Sequence, residues 1–349
     1  MSHFGAAGTV FNGLFVLDSY LGRRRVDRVF GALRRKNQTK LLHNAAKRRP
    51  PGQPPSALPA RDGLTAAEFQ RDFARPGRPV VVRGYGTELP ALRKWTPDFF
   101  AERYGHIQVN AVDGTTRTID DLEEGTGHVS TRHMSWSEQI ERMKEGHSDY
   151  LAFFGDVFSH DPSLLDDLEI DQLRPYLGRR LFGQPMPKLF LGASTTSTQW
   201  HCAELQNLFV EISGRKRWLL AAPADTPCFD PRISTSSQQY CHSMIDFRDP
   251  DTDRYPLYAY MQTWEVILEP GDLLYIPPFW WHCVENLTDT MGVALWWPNL
   301  GPALRSHPTL AWLTVLSPQH VIRMTVEHIR GRRPGATASS STILDQHSG

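Results

Sequence analysis

Several features that mark other classes of protein are missing from this sequence of 349 residues. Cysteine is scarce, and the four cysteines include no CxxC pair, which excludes zinc knuckles and dithiol redox motifs. No apolar run approaches the length of about 20 residues that a membrane-spanning helix needs. The formal net charge is zero. We therefore expect a cytoplasmic protein with reduced thiols, and the chain is long enough to bury a large core.

The charge is unevenly spread along the chain. Residues 1–49 hold eleven Lys and Arg but only two Asp, a net charge of +9, so the remaining 300 residues sum to −9. An acidic globular part excludes a general nucleic-acid binder. Val26, Val29, Phe30 and Leu33 have the spacing of one helix face, which we expect to pack on the domain. A membrane-surface helix, an organelle transit segment and a partner-binding arm stay open as alternatives.

The order of turns and strands predicts one main domain with extensions at both ends. A proline-rich stretch, residues 49–55, is typical of a linker, because proline offers no donor to a helix. Short strands at near-regular spacing from Pro187 onwards favour a closed barrel or a sandwich. The predicted segments are a basic amphipathic arm with linker (1–57), the domain (58–305, barrel core about 187–297), a helical segment (306–330) and a disordered tail (331–349).

Two histidines lie beside predicted strands of this barrel. A single histidine in apolar surroundings is more often a core residue than a ligand, so His201 and His282 carry little weight alone. A non-haem iron site uses two imidazoles and one carboxylate. A His-x-Asp pair supplies two of these ligands, because residues i and i+2 of a strand point the same way. The chain has Ala203 at the position where that carboxylate belongs.

Further segments around the histidines form a specific pattern. They are Gly214-Arg215-Lys216-Arg217-Trp218, Tyr255-Pro256, Leu268-Glu269-Pro270-Gly271-Asp272 with the strand that follows it, and Trp280-Trp281-His282. With these segments the chain resembles the JmjC-type, cupin-like 2-oxoglutarate dioxygenases, over about residues 78–297. The match is better to the hydroxylase-like branch of these oxidoreductases than to the chromatin demethylases.

This resemblance implies a fold, two cofactors and a set of ligands. The fold would be mainly β, a double-stranded β-helix (the jelly roll of cupins) of about eight core strands with flanking helices. The cofactors would be Fe(II) and 2-oxoglutarate. Lys216 would neutralise the distal carboxylate of the cosubstrate in a pocket of low dielectric. The implied roles are metal ligands for His201 and His282, hydroxyl donors for Thr198 and Tyr150, and a polar neighbour of the cosubstrate for Asn207.

Ala203 leaves three accounts of the metal site open. In the first, the protein is inactive and keeps the JmjC-like fold for binding. In the second, chloride occupies the position beside Ala203, as in Fe(II)/2-oxoglutarate halogenases of another cupin-fold family. In the third, another side chain replaces the carboxylate, with Glu204 or Cys202 brought round by a bulge, or Asp246 or Glu285 approaching from elsewhere.

The retained site residues favour an active enzyme. A buried lysine is costly without its anion, so the presence of Lys216 favours a working 2-oxoglutarate site. We therefore expect a hydroxylase-like oxygenase whose substrate is an unidentified small molecule or protein side chain. A long polar segment, residues 225–260, is expected to lie over the barrel mouth, where binding loops are common. The C-terminal helix, with Leu310 and Val321, could support a homodimer.

Overall fold

The computed structural model describes residues 4–113, 131–177, 185–194, 196–233 and 241–316. Its α-helices are α1 (Gly5–Leu21), α2 (Arg23–Ala46), α3 (Ala66–Phe69), α4 (Pro90–Lys94), α5 (Pro97–Tyr104), α6 (Trp136–Lys144), α7 (Asp156–His160), α8 (Ile170–Leu173), α9 (Leu300–Ser306) and α10 (Pro308–Ala311). Short 3₁₀ segments span Pro162–Leu165, Pro223–Phe229 and Pro256–Tyr260, and π-helical turns span Gln70–Ala74 and Trp312–Leu316. No helix among these residues is both long and apolar enough to cross a bilayer.

The strands outnumber the helices and follow one another closely in the second half of the chain. They are β1 (Ser56–Ala57), β2 (Ala60–Arg61), β3 (Val80–Val82), β4 (Gln108–Asp113), β5 (Thr131–Ser135), β6 (Asp149–Phe154), β7 (Met186–Gly192), β8 (Ser197–Cys202), β9 (Gln206–Ser213), β10 (Lys216–Ala221), β11 (Pro231–Ile233), β12 (Cys241–Ser243), β13 (Thr263–Leu268), β14 (Leu273–Ile276), β15 (Trp281–Asn286) and β16 (Thr290–Trp297).

These strands form two facing sheets. One has the order β1-β13-β10-β15-β8-β12-β11, and the other has the order β2-β3-β14-β9-β16-β7-β6-β4-β5. Successive strands from β7 to β10 alternate between the two sheets, and so do β13 to β16, which is the winding of a jelly roll. The prediction of a mainly β, double-stranded fold with flanking helices is confirmed.

The two sheets enclose one core cluster and each packs a further cluster outside. Phe209, Trp218, Leu220 and Leu274 belong to the cluster between the sheets. Leu208 and Val210 of β9 belong instead to the cluster beneath α3 to α8. This division follows from the strand period of two, which sends alternate residues of β9 to opposite faces. Residues 207, 209 and 211 therefore face the barrel interior.

Thr65-Ala66-Ala67-Glu68 has the spacing of a capping box and Thr96-Pro97-Asp98 is typical of a helix start, and both predicted starts are present. Thr65 accepts a hydrogen bond from the Glu68 N–H, and the Glu68 carboxylate accepts one from the Thr65 N–H, so both halves of a capping box are formed. Thr96 caps α5 by accepting from the Phe99 N–H. These caps satisfy amide groups that the first helical turn leaves without partners. They fix the helical layer that covers one face of the larger sheet.

The expected packing of the basic N-terminal helix is wrong. The segment forms two helices, because Gly22 breaks it with φ 81°. Of the predicted apolar face only Val26 is buried, whereas Val29, Phe30 and Leu33 are 73%, 38% and 44% exposed. The buried residues of α2 are Val26 and, outside the predicted face, Asn37, Leu41 and Ala45. The last three are spaced four residues apart and therefore also share a face.

The segment predicted as a polar loop, residues 225–260, contains regular structure. Strands β11 and β12 pair with each other, and β12 also pairs with β8, so this segment extends the smaller sheet next to His201. The stretch 234–240 lies outside the described residues. So do residues 317–349, which include Val321, the rest of the predicted C-terminal helix and the tail. Leu310 and Leu313 of that predicted helix are buried against the domain, and the homodimer stays a prediction.

Candidate functional site

His201 and His282 lie side by side on neighbouring strands. They are paired in register between β8 and β15, and their ring centroids are 4.2 Å apart. Each Nδ1 lies within hydrogen-bonding distance of a carbonyl two residues earlier, at 2.8 Å from Gln199 and 2.9 Å from Trp280. Burial lowers the pKa of both imidazoles, so they are neutral near pH 7. A neutral ring that donates from Nδ1 carries its lone pair on Nε2, the atom suited to bind a metal.

The described residues around this pair form no complete metal site. Among the residues that the structure describes, no three His, Cys, Asp or Glu side chains are grouped so that they could hold a metal ion. Ala203 offers no donor from its side chain, and its carbonyl accepts a hydrogen bond from the Phe279 N–H at 2.8 Å. Burial raises the pKa of the Glu204 carboxyl to about 7. Glu204 raises the pKa of the Cys202 thiol. The Cys202 side chain belongs to the cluster on the outer side of the smaller sheet. The role of Glu204 as a metal ligand stays a prediction.

The other proposed substitutes for the carboxylate, Glu285 and Asp246, contact other side chains and backbone groups. Glu285 forms ion pairs with Arg217 at 3.4 Å and Arg248 at 3.2 Å. Asp246 accepts hydrogen bonds from the Gln199 amide and the Arg248 N–H. Both carboxylates are therefore already engaged with positive or donor groups, and their roles as metal ligands stay predictions.

Lys216 occupies the same barrel interior. Its side chain is buried, and its Nζ atom has no hydrogen-bond partner among the described residues. The nearest aromatic rings are Phe209 and Phe190, with centroids at 4.9 and 5.9 Å. Burial lowers the pKa of the Lys216 ammonium. A buried ammonium without a hydrogen-bond partner is costly, so this position fits an anion.

The hydroxyl groups predicted to assist Lys216 are brought together. Tyr150 and Thr198 share a hydrogen bond, although they lie on β6 and β8 of different sheets. Tyr150 is opposite Gly192 in register, and a Cβ at Gly192 would lie 2.4 Å from the Tyr150 ring. Glycine is therefore required for the ring to enter the barrel. Asn207 is also buried there, and its Oδ1 atom accepts no hydrogen bond from the residues that the structure describes.

Sequence reasoning missed two polar residues of this interior. Glu211 is fully buried on β9, and neither of its carboxylate oxygens has a hydrogen-bond partner within the described part of the chain. Its presence in the apolar run 207–212 is the signal that could have identified it. His242 lies opposite His201 on the other side from β15. It was hidden because β12 is only three residues long and follows a polar stretch.

The fold and these interior groups define a cupin-type jelly roll whose barrel holds a histidine pair and a buried lysine. A model of the cupin-like domain family matches residues 66–301. The chain therefore belongs to the cupin-like domain family. This finding confirms the resemblance to JmjC-type proteins, which are typically 2-oxoglutarate-dependent dioxygenases.

Over the aligned residues, three relatives are between 26% and 31% identical to the chain. Jumonji C domain-containing protein 5 of Drosophila melanogaster is 28% identical over 69% of this chain and 59% of its own length. Lysine-specific demethylase JMJ30 of Arabidopsis thaliana is 31% identical over 68% of this chain and 54% of its own length. Bifunctional peptidase and (3S)-lysyl hydroxylase JMJD7 of Homo sapiens is 26% identical over 70% of this chain and 84% of its own length. The chain thus spans little more than half of the first two proteins.

Proposed function

We propose that the protein is an Fe(II)/2-oxoglutarate-dependent oxygenase of the hydroxylase-like kind. It would oxidise a C–H bond of its substrate, with succinate and carbon dioxide as co-products. The observation that carries this proposal is the Lys216 ammonium, which is buried in the barrel and has no hydrogen-bond partner in the part of the chain that the structure describes. An inactive fold would gain stability by replacing such a group with an apolar one.

The interior residues divide into two groups with separate tasks. His201 and His282 would hold the metal through Nε2, because their Nδ1 atoms are engaged with carbonyl oxygens. Lys216 would bind the distal carboxylate of 2-oxoglutarate, with Thr198 and Tyr150 as hydroxyl donors. Asn207 would lie beside the cosubstrate. The bound iron would supply the redox chemistry that activates dioxygen.

The names of two relatives suggest which class of substrate to test first. These names refer to protein lysine residues, one as a demethylase and one as a lysyl hydroxylase. We therefore favour a protein side chain over a small molecule as the first class to test. A peptide library that contains lysine at varied positions is the suitable screen.

Anaerobic titration with Fe(II) and 2-oxoglutarate tests the proposal directly. We expect both to bind together and to produce a metal-to-ligand absorption band. We also expect Lys216→Met to abolish this band while iron still binds. Absence of binding by either component would refute the enzyme and leave the non-catalytic binding protein.

Two further measurements separate the remaining accounts of position 203. Succinate release that rises only when chloride is present would support the halogenase. Release that is independent of chloride supports the hydroxylase. An Ala203→Asp variant should bind Fe(II) more tightly, because it places a carboxylate two residues from His201, directly after the end of β8. Unchanged iron affinity would show that position 203 is not directed at the metal.

A further inference from the structure

Glu211 and Lys216 are two ionisable side chains buried in one barrel interior. Glu211 lies two residues after Phe209 on β9, and the Phe209 ring is 4.9 Å from the Lys216 Nζ atom. Glu211 and Lys216 each influence the pKa of the other. Glu211 also raises the pKa of the Tyr150 hydroxyl. Neither side chain has a hydrogen-bond partner among the described residues. The pair is therefore not closed into a salt bridge.

The charge of this interior decides which ligand it can accept. If Glu211 were ionised, it would cancel the charge of Lys216, and an incoming carboxylate would meet no net attraction. Two carboxylates cannot share one ammonium in a buried site unless one of them is protonated. With a neutral Glu211, the interior keeps one positive charge and gains an O–H donor.

We propose that Glu211 is an additional binding residue for the distal carboxylate of 2-oxoglutarate, and that it acts as a neutral acid donating a hydrogen bond beside the Lys216 ammonium. This inference rests on the proposed function, because it takes 2-oxoglutarate as the ligand. It assigns a task to a carboxyl group that the predicted ligand set leaves unused. The site would recognise a carboxylate through one cation and several neutral donors.

The groups around Glu211 favour the neutral acid. The pKa of its carboxyl is raised to about 8, mainly by burial and to a smaller extent by Asp272 and Glu269, in the turn between β13 and β14. Lys216 on β10 acts in the opposite direction. Asp272 is itself held by Arg83 at 2.6 Å, and Glu269 by Arg215 at 2.9 Å. Among the described groups that influence the pKa of Glu211, Lys216 is the one cation, and it forms no ion pair with a carboxylate.

Difference infrared spectroscopy of the bound and free protein tests the protonation state. With ¹³C-labelled 2-oxoglutarate to separate the ligand bands, we expect the C=O stretch of a protonated carboxylic acid in the bound state. The band should shift to lower frequency on binding, as its O–H becomes hydrogen-bonded, and should be absent in Glu211→Gln. A bound-state spectrum without such a Glu211 band would overturn the proposal.

Binding constants of three variants give an independent test near pH 7. Glu211→Gln keeps a neutral donor and should bind 2-oxoglutarate within about threefold of wild type. Glu211→Met has no donor and should bind about tenfold or more weakly, which is the effect of losing a hydrogen bond to a charged group. If Glu211 is instead an ionised competitor for Lys216, both variants will bind more tightly than wild type. Glu265→Gln, in the Arg217 ion pair on the strand face opposite Lys216, is the matched control.

The outcomes distinguish this inference from the proposed function. Wild-type protein that binds no 2-oxoglutarate in the presence of Fe(II) refutes the proposed function. Binding without an infrared band from Glu211, or with both variants tightened, refutes only the role of Glu211. Circular dichroism of each variant checks folding, and the wild-type infrared spectrum decides the question even if a variant does not fold.

Discussion

His201 and His282 are oriented by the backbone of their own strands. Each Nδ1 lies within hydrogen-bonding distance of a carbonyl oxygen two residues earlier, so the ring orientation is set when the strand forms. The tautomer is set at the same time, because a carbonyl only accepts. No acidic residue is needed to fix these rings, and the site can keep both imidazoles ready for a metal although Ala203 supplies no ligand.

Metal binding should depend on these two histidines and not on their neighbour His242. The order β15-β8-β12 places His242 on the far side of His201 from His282. We expect His201→Ala and His282→Ala each to weaken Fe(II) binding by more than about a hundredfold, since loss of an outer-shell partner alone costs about 10–100-fold. His242→Asn should retain binding within about threefold. Anaerobic titration measures all three, and an equal loss in His242→Asn would place that ring at the metal.

Replacement of Lys216 should raise the stability of the protein and abolish its binding of 2-oxoglutarate. Lys216→Met removes a buried ammonium and places a thioether between the Phe190 and Phe209 rings. We expect the free energy of unfolding at pH 7 to rise by about 1–3 kcal/mol, because apolar replacements of buried charges are often stabilising. The variant should no longer bind 2-oxoglutarate.

Urea unfolding of the Lys216→Met protein measures this change. Lys144→Met is the control, since Lys144 lies in a surface ion pair with Asp98 and such pairs contribute about 0–1 kcal/mol. A loss of stability in Lys216→Met would mean that the ammonium has a favourable partner in the free protein.

The turn that joins β9 and β10, which lie in different sheets, positions Lys216 through one glycine. Gly214 has φ 81°, and a Cβ there would lie 2.0 Å from the Asp289 carbonyl oxygen. Gly214→Ala should lower the free energy of unfolding by about 2 kcal/mol or more and weaken 2-oxoglutarate binding, because the turn must move. Gly52→Ala is a matched control with φ 68° and open space around it. It should cost only about 1–2 kcal/mol and leave binding unchanged. Equal effects of the two substitutions would contradict a steric role for the Asp289 carbonyl.

The two sides of α2 should respond differently to substitution. Leu41 is buried against the domain, whereas Val29 and Leu33 are 73% and 44% exposed. We expect Leu41→Ala to cost about 2–5 kcal/mol. Val29→Ser and Leu33→Ser should each change stability by no more than about 0.5 kcal/mol. Thermal or urea unfolding compares them, and a large cost for Val29→Ser would indicate that this side is covered in solution.

Sequence reasoning was most successful where a local pattern had one physical cause. The Thr65 and Thr96 caps follow from local hydrogen bonding, and the alternating strands of the barrel follow from burial on one face. The interpretation of α2 failed because two faces of the helix carry apolar residues, and only tertiary contacts choose between them. Glu211 and His242 could not be placed, because strand pairing over long sequence distances decides which side chains meet.

At the level of the complete molecule, the jelly roll joins residues that are far apart in sequence. Tyr150, Thr198, Glu211, Lys216 and His282 come from five strands of both sheets. The interior therefore exists only when both sheets are formed. Ionisation of a side chain in this interior is consequently linked to the folding of the whole domain.

Stability should fall as the pH rises, because of Glu211. Burial raises the pKa of its carboxyl from 4.5 in the unfolded chain to about 8 in the folded protein. Between these values the folded state holds one proton that the unfolded state has released, so Glu211 contributes a decline of about 1.4 kcal/mol per pH unit. The stabilising contribution is fully present below pH 4.5 and is lost as the pH approaches about 8.

Urea unfolding of wild type and Glu211→Gln across this range isolates the effect. Other titrating groups are common to both proteins, so the difference in unfolding free energy should grow with pH in favour of the variant and level off above about pH 8. Lys216 acts in the opposite direction, because burial lowers its pKa and its contribution to stability therefore rises with pH. Parallel stability curves for the two proteins would show that Glu211 is already ionised in the folded state near neutral pH.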